Sequence, residues 1–403
     1  MRLTTFEDAR KKILEHAQGH GTETLFLHKA NGRVLAAEIV AQLDSPRFDN
    51  SEVDGFAVKA SDISSEPIQL KMQGSVFAGQ SELPYLEEGS ALRIFTGAPI
   101  PPGADSVVMQ EDCEWKDETV TIRRFEGDGS HIRKSGSEYL AGQLLLAKGM
   151  AITPPVIGLI ASNGVSDVLG VKLPKVTILS TGNELAPIRK QLEPGQIYDS
   201  NGIALSTAVR ALGPEMVVTG RLRDDEESVL DGLEKALEAA DVIITSGGVS
   251  VGDHDLIRPA LKKLGVEELI WGISVRPGKP FYFGKKGKKL IFGLPGNPVS
   301  GLVCFQLFVR PALLQMMGHD EGAFQPISAT LESAAQGDPS RTVFARANLD
   351  LKNGVYTAFP ADAQESYMSS GLAGSNGLIA VPCGAAEIAS GSKVDVYPLK
   401  WTP

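Results

Sequence analysis

Short β-branched apolar runs alternate with helical segments throughout the stretch from residue 175 to residue 318. The predicted strands cover residues 176–179, 216–218, 242–245 and 289–292, and the predicted helices cover residues 202–212, 226–240, 256–264 and 299–317. Runs such as VTIL and VIIT are typical of parallel strands that are covered on both faces by helices. The alternation therefore predicts a doubly wound α/β domain over residues 173–325.

Both flanks of this stretch show a different pattern. Between residues 43 and 139, and again after residue 326, short alternating segments are separated by the glycines and prolines that this chain uses freely, 43 and 24 of its 403 residues. We expect a small β domain at 43–139 and a C-terminal β domain at 326–403. Residues 1–42 and 140–172 are predicted to form an N-terminal helical and linker domain, because Phe6, Ala9, Ile13 and Ala17 recur at helical spacing.

Charge and cysteine usage narrow the class of protein. The 39 Lys and Arg residues against 49 Asp and Glu residues give a net charge of −10, which argues against nucleic-acid or membrane-surface binding. Three widely spaced cysteines form no metal or redox motif, and the N-terminal stretch has no apolar leader. The most apolar stretch, 302–309, is shorter than a membrane span. We expect a cytoplasmic protein with no membrane or nucleic-acid partner.

Three glycine-rich segments each follow a predicted strand of the α/β domain. They are STGNE at 180–184, SGGVSVG at 246–252 and GLPGNP at 293–298. The carboxyl ends of parallel strands form the ligand crevice of such sheets, and glycines there let backbone N–H groups approach phosphate. Ordinary strand-to-helix turns would also explain each loop taken singly. The three together favour a ligand that carries phosphate.

Acidic residues lie at or near the same strand ends, where they would repel a phosphate. Glu184, Asp224 and Asp255 are the predicted metal ligands, because Mg²⁺ binds through one or two carboxylates together with substrate phosphate. Capping of the helices that follow is the competing interpretation for Asp224 and Asp225, and equally for Asp253 and Asp255.

Positive charge stands in the turn SVRPGKP, where Arg276 and Lys279 are three residues apart. They suggest a second oxyanion pocket, although a solvated surface turn is the simpler alternative. In the small β domain, Asp54 lies in the turn-rich segment FDNSEVDGF, and Thr96 and Gly97 lie in a second such segment, TGAP. Turn chemistry alone also accounts for that composition.

The motifs taken in order resemble one known family. They are SPRFDNSEVDGFAV, TGAPIPPGADSVV, IRKSGSEYLAG, STGNEL, YDSNG, TSGGVSVGDHD, RPGKPFYFG and GLPGNPVS. In order and spacing they are similar to the molybdopterin molybdenumtransferases of molybdenum cofactor synthesis. The resemblance implies an elongated, four-domain homodimer in which the α/β domain of one subunit faces the small β domain of the other. It also implies a Mg²⁺-dependent reaction of adenylylated molybdopterin with molybdate that releases AMP.

The resemblance also assigns roles to residues. It implies catalytic roles for Asp54, Glu184, Asp255 and Lys279. In the C-terminal domain, Arg346 resembles an arginine assigned to molybdate, with Ser366 or Ser370 as its hydroxyl partner. The predicted binding residues are Thr96, Gly97, Thr181, Gly182, Ser246, Gly247, Gly248, Ser250, Gly252, Arg276, Pro295, Gly296, Asn297, Pro298, Arg346, Ser366 and Ser370.

Four positions depart from the family pattern. Asn183 stands where many relatives have Asp, and Arg276 replaces the first lysine of KPGKP. Ser137 precedes Glu138 in place of a more acidic pair, and Gly374 lies where a basic residue is common. These departures leave open a non-catalytic molybdopterin-binding scaffold. A molybdopterin adenylyltransferase is a second alternative, because that family resembles this chain in its α/β domain and SGG loop. An adenylyltransferase is also a candidate partner protein.

Overall fold

The computed structural model describes residues 3–248, 256–320 and 325–401. The chain divides into a larger unit, made of Met1–Leu25, Gly32–Ala36 and Leu169–Pro403, and a smaller unit, made of Phe26–Asn31 and Ala37–Val168. The division into four domains stays a prediction.

The helices follow each other in chain order as α1 (Phe6–His16), α2 (Pro154–Ser162), α3 (Ser200–Ala211), α4 (Glu226–Ala239), α5 (Ile257–Lys263), α6 (Pro298–Cys304), α7 (Arg310–Met316) and α8 (Ser369–Ala373). The strands are β1 (Thr22–Phe26), β2 (Ile39–Val40), β3 (Asn50–Ser51), β4 (Gly55–Val58), β5 (Ile68–Val76), β6 (Ser90–Ile94), β7 (Ser106–Met109), β8 (Cys113–Lys116), β9 (Thr119–Ile122), β10 (Ile132–Arg133), β11 (Leu144–Leu146), β12 (Asp167–Val171), β13 (Lys175–Thr181), β14 (Leu185–Ala186), β15 (Ile197–Tyr198), β16 (Met216–Leu222), β17 (Val242–Ser246), β18 (Glu267–Trp271), β19 (Val275–Arg276), β20 (Tyr282–Lys286), β21 (Lys289–Leu294), β22 (Ile327–Leu331), β23 (Ala335–Gln336), β24 (Thr342–Lys352), β25 (Val355–Pro360), β26 (Gly377–Val381), β27 (Glu387–Ile388) and β28 (Lys393–Pro398).

The smaller unit is built on a six-stranded sheet in the order β7-β4-β6-β5-β9-β8. Successive residues of β4 enter different apolar clusters, Phe56 and Val58 on one side and Ala57 on the other. This follows from the two-residue period of a strand, and it leaves β4 buried along its whole length. Strand β4 starts directly after Asp54, and β6 ends two residues before Thr96, so the sheet brings those two positions together.

The larger unit contains the predicted α/β domain. Its six-stranded sheet has the order β16-β13-β17-β21-β20-β18. The first four strands are parallel, and β20 and β18 extend the sheet in antiparallel fashion. Strand β18 was not predicted, because its mostly exposed edge position gives no continuous apolar run.

Helices cover both faces of this sheet. Ile243 and Ile291 pack on one face in a cluster with residues of α4 and α5, while Ile244 and Phe292 pack on the other with residues of α3, α6 and α7. Alternate residues of a strand point to opposite faces, so a strand buried on both sides needs an apolar residue at every position. The prediction of a doubly wound fold is confirmed.

The segment predicted as one helix over 299–317 is helical from Pro298 to Met316 and contains one π-helical turn. A π-helical turn at Phe305–Val309 joins α6 to α7, and Pro311 lies at the start of α7. The run Pro298–Met316 is long and apolar enough to cross a membrane by length and composition, which corrects the expectation that the apolar stretch there is too short. Most of that helix is buried inside the protein, as in the core helix of a globular domain.

The C-terminal β domain closes on itself. Each of the strands β24, β25, β22, β28 and β26 pairs with the next, and β26 pairs back with β24. Closure removes free sheet edges, and alanines such as Ala329 and Ala347 leave room for the small barrel core. Phe6 of α1 contacts Phe308 and Phe344 edge to face, so the barrel and the α/β domain share one core.

Candidate functional site

The three glycine-rich loops start from three neighbouring strands. Strands β13, β17 and β21 are parallel and adjacent, and Ser180 lies opposite Ser246, which lies opposite Leu294. All three loops therefore leave the same edge of the sheet, as predicted from the sequence. Of the second loop, the structure describes residues 246–248; the predicted binding residues Ser250 and Gly252 lie outside the described residues.

Gly247 is the point where the loops meet. Its N–H donates to the Leu294 carbonyl oxygen at 3.1 Å, and its φ of +87° belongs to the left-handed region. A Cβ on Gly247 would lie 2.8 Å from the Thr181 carbonyl oxygen, and a Cβ on Gly296 would lie 3.6 Å from Gly247 Cα. The crevice thus requires glycine here both for backbone conformation and for space.

Asn201 holds two of the loops together and was not among the predicted site residues. Its Nδ2 donates to Ser246 Oγ at 3.0 Å and to the Gly296 carbonyl oxygen at 2.7 Å. Asp199 caps α3 through the Gly202 N–H and so places Asn201 in the first turn, against the loops. The motif YDSNG was the available signal, since an Asp followed by Ser and Asn indicates a helix start.

Buried hydroxyl groups lie at the base of the crevice. Ser180 and Thr181 are almost fully buried, and Ser180 Oγ and Thr181 Oγ1 find no hydrogen-bond partner among the residues that the structure describes. Buried polar atoms are nearly always hydrogen-bonded. These two hydroxyls therefore keep an unused capacity for hydrogen bonds to water or to a ligand.

The acidic residues of the crevice have different environments. Asp225 caps α4 by accepting from the Ser228 N–H, so the capping interpretation is correct for Asp225. Asp224 instead accepts from the Asn183 N–H at 3.0 Å, and its own N–H donates to Asn183 Oδ1. The departure at Asn183 therefore keeps an oxygen acceptor that supports Asp224.

The metal-binding prediction concerns Glu184, Asp224 and Asp255. Glu184 is exposed and its carboxylate lies against Gly182, where an added Cβ would be 2.5 Å from Oε2. Asp255 lies outside the described residues. Within 3–248, 256–320 and 325–401, no group of three or more His, Cys, Asp or Glu residues is arranged to hold a metal ion. Glu184 and Asp224 do provide the hard carboxylate oxygens that Mg²⁺ prefers.

The RPGKP turn is attached to the C-terminal domain. Strand β19, which contains Arg276, pairs with β24, and Ser274 Oγ donates to the Ser340 carbonyl oxygen. Arg276 Nη1 lies 3.9 Å from Asp338 Oδ2 with half of its side chain exposed. The arginine that replaces the family's lysine thus has a carboxylate neighbour, and Lys279 is exposed.

Arg346 does not face solvent. It is fully buried, and its Nε donates to the Ala363 carbonyl oxygen at 3.0 Å. Its Nη2 donates to the carbonyl oxygens of Ala363 and Glu365. Burial lowers the pKa of its guanidinium below the ordinary value. The guanidinium therefore supports the loop at 361–366, while its buried Nη1 has no hydrogen-bond partner among the described residues, and the assignment of Arg346 to molybdate stays a prediction.

That loop presents Ser366 to the third glycine-rich loop. Asn297 Nδ2 donates to Ser366 Oγ at 3.0 Å, so two predicted binding residues from distant parts of the chain are in contact. Ser370 lies in α8, where its carbonyl oxygen accepts from the Gly374 N–H. No hydrogen bond of the described residues links the Ser370 hydroxyl to the crevice.

Asp54 and Thr96 form a second constellation, in the smaller unit. Asp54 Oδ1 accepts from the Thr96 N–H at 2.8 Å and from Thr96 Oγ1 at 2.9 Å. These bonds, aided by the Arg93 charge, lower the pKa of Asp54. Gly97 continues the turn with a φ of +79°, and a Cβ on Gly55 would overlap the Val108 carbonyl, so both glycines are needed for the backbone path.

An α/β domain with three converging glycine-rich loops, joined to two β modules, defines a multidomain protein whose doubly wound domain has a ligand crevice at the carboxyl ends of its strands. The family model described as a probable molybdopterin binding domain matches residues 177–315. The model of the MoeA N-terminal region (domain I and II) matches residues 4–164, and that of the MoeA C-terminal region (domain IV) matches residues 328–399.

Comparison with full-length relatives gives the same result as the family models. The chain is 37% identical to molybdopterin molybdenumtransferase 2 of Mycobacterium tuberculosis, covering 98% of this chain and 100% of the relative. It is 35% identical to the molybdopterin molybdenumtransferase of Haemophilus influenzae, covering 98% of each. The crystal structure of the molybdopterin biosynthesis moeA protein from Pyrococcus horikoshii superposes with a TM-score of 0.84 at 34% identity, over 99% of this chain and 100% of that one. The chain belongs to the molybdopterin molybdenumtransferase family.

Proposed function

We propose that this chain is the enzyme that inserts molybdate into adenylylated molybdopterin and releases AMP. The observation that carries the proposal is the convergence of the three loops around Gly247, in a chain that matches molybdenumtransferases from end to end. That full-length similarity also favours this activity over the adenylyltransferase alternative.

The described residues suggest a division of tasks. Backbone N–H groups and the Ser180 and Thr181 hydroxyls of the crevice would bind the phosphate-bearing substrate. Glu184 and Asp224, with Asp255, would hold Mg²⁺, which neutralises phosphate charge when bound. Lys279 and Ser366 would hold molybdate. Arg346 would keep Ser366 in place through its hydrogen bonds to the loop at 361–366. Asp54 would orient or deprotonate a reacting group as a carboxylate.

The direct test is turnover by the purified full chain. Adenylylated molybdopterin, Mg²⁺ and molybdate are mixed with the protein, and AMP and metal-loaded pterin are measured together. We expect AMP release that depends on molybdate. ATP-dependent adenylylation without molybdate-dependent AMP release would identify the adenylyltransferase instead, and pterin binding without any turnover would identify a scaffold.

The metal-site assignment has its own variants. We expect Glu184→Ala and Asp255→Ala to lower AMP release by roughly a hundredfold, the usual scale for loss of one charge-stabilising group. Glu234→Ala, an exposed residue on α4, is the matched control. Unchanged turnover in both site variants would show that the metal lies elsewhere.

Lys279 is tested through the dependence on molybdate concentration. Lys279→Ala should raise the molybdate concentration needed for half-maximal AMP release, because it removes a cation from the oxyanion pocket. Lys288→Ala, in an exposed turn between β20 and β21, serves as the control. Equal half-saturation values for Lys279→Ala and the wild type would remove Lys279 from the pocket.

The quaternary state and the compartment are part of the same proposal. We infer a homodimer from the family resemblance; exposed apolar side chains such as Ile203, Met216 and Val218 in the larger unit give surface that a second copy would cover. Sedimentation at micromolar concentration should give twice the mass of 42.8 kDa, and a single-chain mass would refute the dimer. The three cysteines are free, which suits the reducing cytoplasm that we propose.

A further inference from the structure

Arg93, on β6 of the smaller unit, is enclosed by aromatic rings. Its guanidinium carbon lies 4.4 Å from the ring centre of Trp115, 4.9 Å from that of Phe56 and 5.6 Å from that of Phe95. Stacking of this kind fixes a planar guanidinium and leaves only its edges for hydrogen bonds. The direction of those edges is therefore determined by the surrounding rings.

Packing alone does not explain an arginine at this place. Nη1 is buried and has no hydrogen-bond partner in the described parts of the chain. A buried N–H without a partner destabilises a fold by about 1–3 kcal/mol, which a methionine of similar length would avoid. The charge and the remaining N–H groups must therefore have another purpose.

The other edge of Arg93 leads to Asp54. Nη2 donates to Gln110 Oε1 at 2.6 Å, and the Gln110 backbone N–H donates to the Asp54 carbonyl oxygen at 3.0 Å. Thr96 holds Asp54 Oδ1 from the end of β6, three residues beyond Arg93. Arg93 thus contacts Gln110, which bonds to the Asp54 backbone. Arg93 also lies on β6, the strand that leads to Thr96, and Thr96 bonds to the Asp54 carboxylate.

We propose that Arg93 is a positioning residue that orients Asp54 through Gln110. The functional part of this inference rests on the proposed catalytic role of Asp54. Arg93 would touch neither substrate nor metal, and it would act on the position of Asp54.

The charged neighbourhood supports this role. The pKa of Asp54 is lowered mainly by the Thr96 N–H and then by the Thr96 hydroxyl; burial raises it, and the Arg93 charge lowers it by less than burial raises it. Glu111 accepts from Gln110 Nε2 and adds negative charge nearby. Cys113 is uncharged at neutral pH, because burial raises its pKa to about 12. Arg93 thus brings a positive charge to the Gln110 side chain and makes a minor contribution to the lowered pKa of Asp54.

Three variants separate charge from orientation. Arg93→Met removes both, Arg93→Lys keeps the charge, and Gln110→Ala keeps the charge but breaks the contact with Arg93. Arg123→Met, an exposed arginine paired with Glu114 in the same unit, is the control for loss of an arginine. The pKa of Asp54 is measured by carbon NMR of its carboxyl group, assigned with Asp54→Asn, and the pH profile of AMP release is recorded for each protein.

In Arg93→Met we expect kcat to fall about tenfold or more with little change in KM, and the pKa of Asp54 to rise only slightly, because both Thr96 bonds remain. Arg93→Lys should reverse that small rise, and Gln110→Ala should lower kcat at an unchanged pKa. If kcat in both Arg93→Met and Gln110→Ala equals that of Arg123→Met, the inference is overturned. Full activity of Asp54→Asn would refute the catalytic role of Asp54 instead, while the pKa comparison would still decide whether Arg93 controls that carboxylate.

Discussion

Replacing Asn201 by alanine tests whether the glycine-rich loops act as one site. The Asn201 amide nitrogen has two hydrogens, and both are used, one on Ser246 Oγ and one on the Gly296 carbonyl oxygen. Because these acceptors belong to the second and third loops, the substitution removes the direct side-chain bridge from α3 to both. The backbone bond from Gly247 to Leu294 would remain.

The size of the effect follows from the two bonds. Each intramolecular hydrogen bond contributes about 0.5–1.5 kcal/mol, so Asn201→Ala should lower the free energy of unfolding by about 1–3 kcal/mol. If half of that loss, about 0.5–1.5 kcal/mol, appears as disorder of the ligand-free loops that a ligand must reverse, affinity falls roughly two- to tenfold, since about 1.4 kcal/mol corresponds to a factor of ten.

The assay measures both quantities on the full chain. Urea unfolding gives the stability, and calorimetric titration with AMP, the proposed product, gives the affinity. Asn163→Ala is the matched control, because Asn163 is a buried asparagine of the smaller unit that bonds to Tyr139 Oη and to the Gln42 N–H. It should lose similar stability and bind AMP as the wild type does. Wild-type AMP affinity in Asn201→Ala, or an equal loss in Asn163→Ala, would refute the reasoning.

Three further substitutions test other parts of the larger unit. Gly247→Ala should destabilise the protein by more than about 1–2 kcal/mol in urea unfolding, since its φ is positive and the new Cβ would press on the Thr181 carbonyl oxygen; wild-type stability would show that the loops do not touch. Arg346→Lys should lower stability and kcat with an unchanged molybdate half-saturation value, whereas a raised value at full stability would restore the predicted molybdate contact. The pKa of Asp338 is lowered from 3.8 to about 2 by Ser340 and Arg341. Its ionised form therefore stabilises the fold above about pH 4, and this contribution is lost as the pH falls toward 2. In Asp338→Asn the melting temperature should vary less with pH in that range than in the wild type, and parallel curves for the two proteins would contradict this.

The parts of the fold that could be predicted from the sequence are those in which local pattern and burial coincide. Strands β13, β17 and β21 are buried on both faces, so each gives an apolar run followed by a glycine-rich turn. Parallel strands that are separated by helices have their carboxyl ends at one edge of the sheet. The sequence therefore predicted that the three glycine-rich loops are neighbours without any knowledge of contacts. Strand β18 gave no such signal because four of its five residues are at least partly exposed.

Side-chain roles could be predicted less well, because a residue type does not reveal what it contacts. An arginine in a family motif suggests an anion ligand, yet Arg346 of β24 donates to carbonyl oxygens of the loop at 361–366, and Ser366 of that loop bonds to Asn297. Asn201 is uncharged, so its residue type did not suggest a role in the site, but its side chain bonds to two of the loops. In an acidic chain, the proposed anion site of backbone N–H groups and hydroxyls would avoid a dense cluster of exposed cations. Its geometry would then depend on uncharged or buried supports such as Asn201 and Arg346, whose contacts become visible only when the fold brings distant segments together.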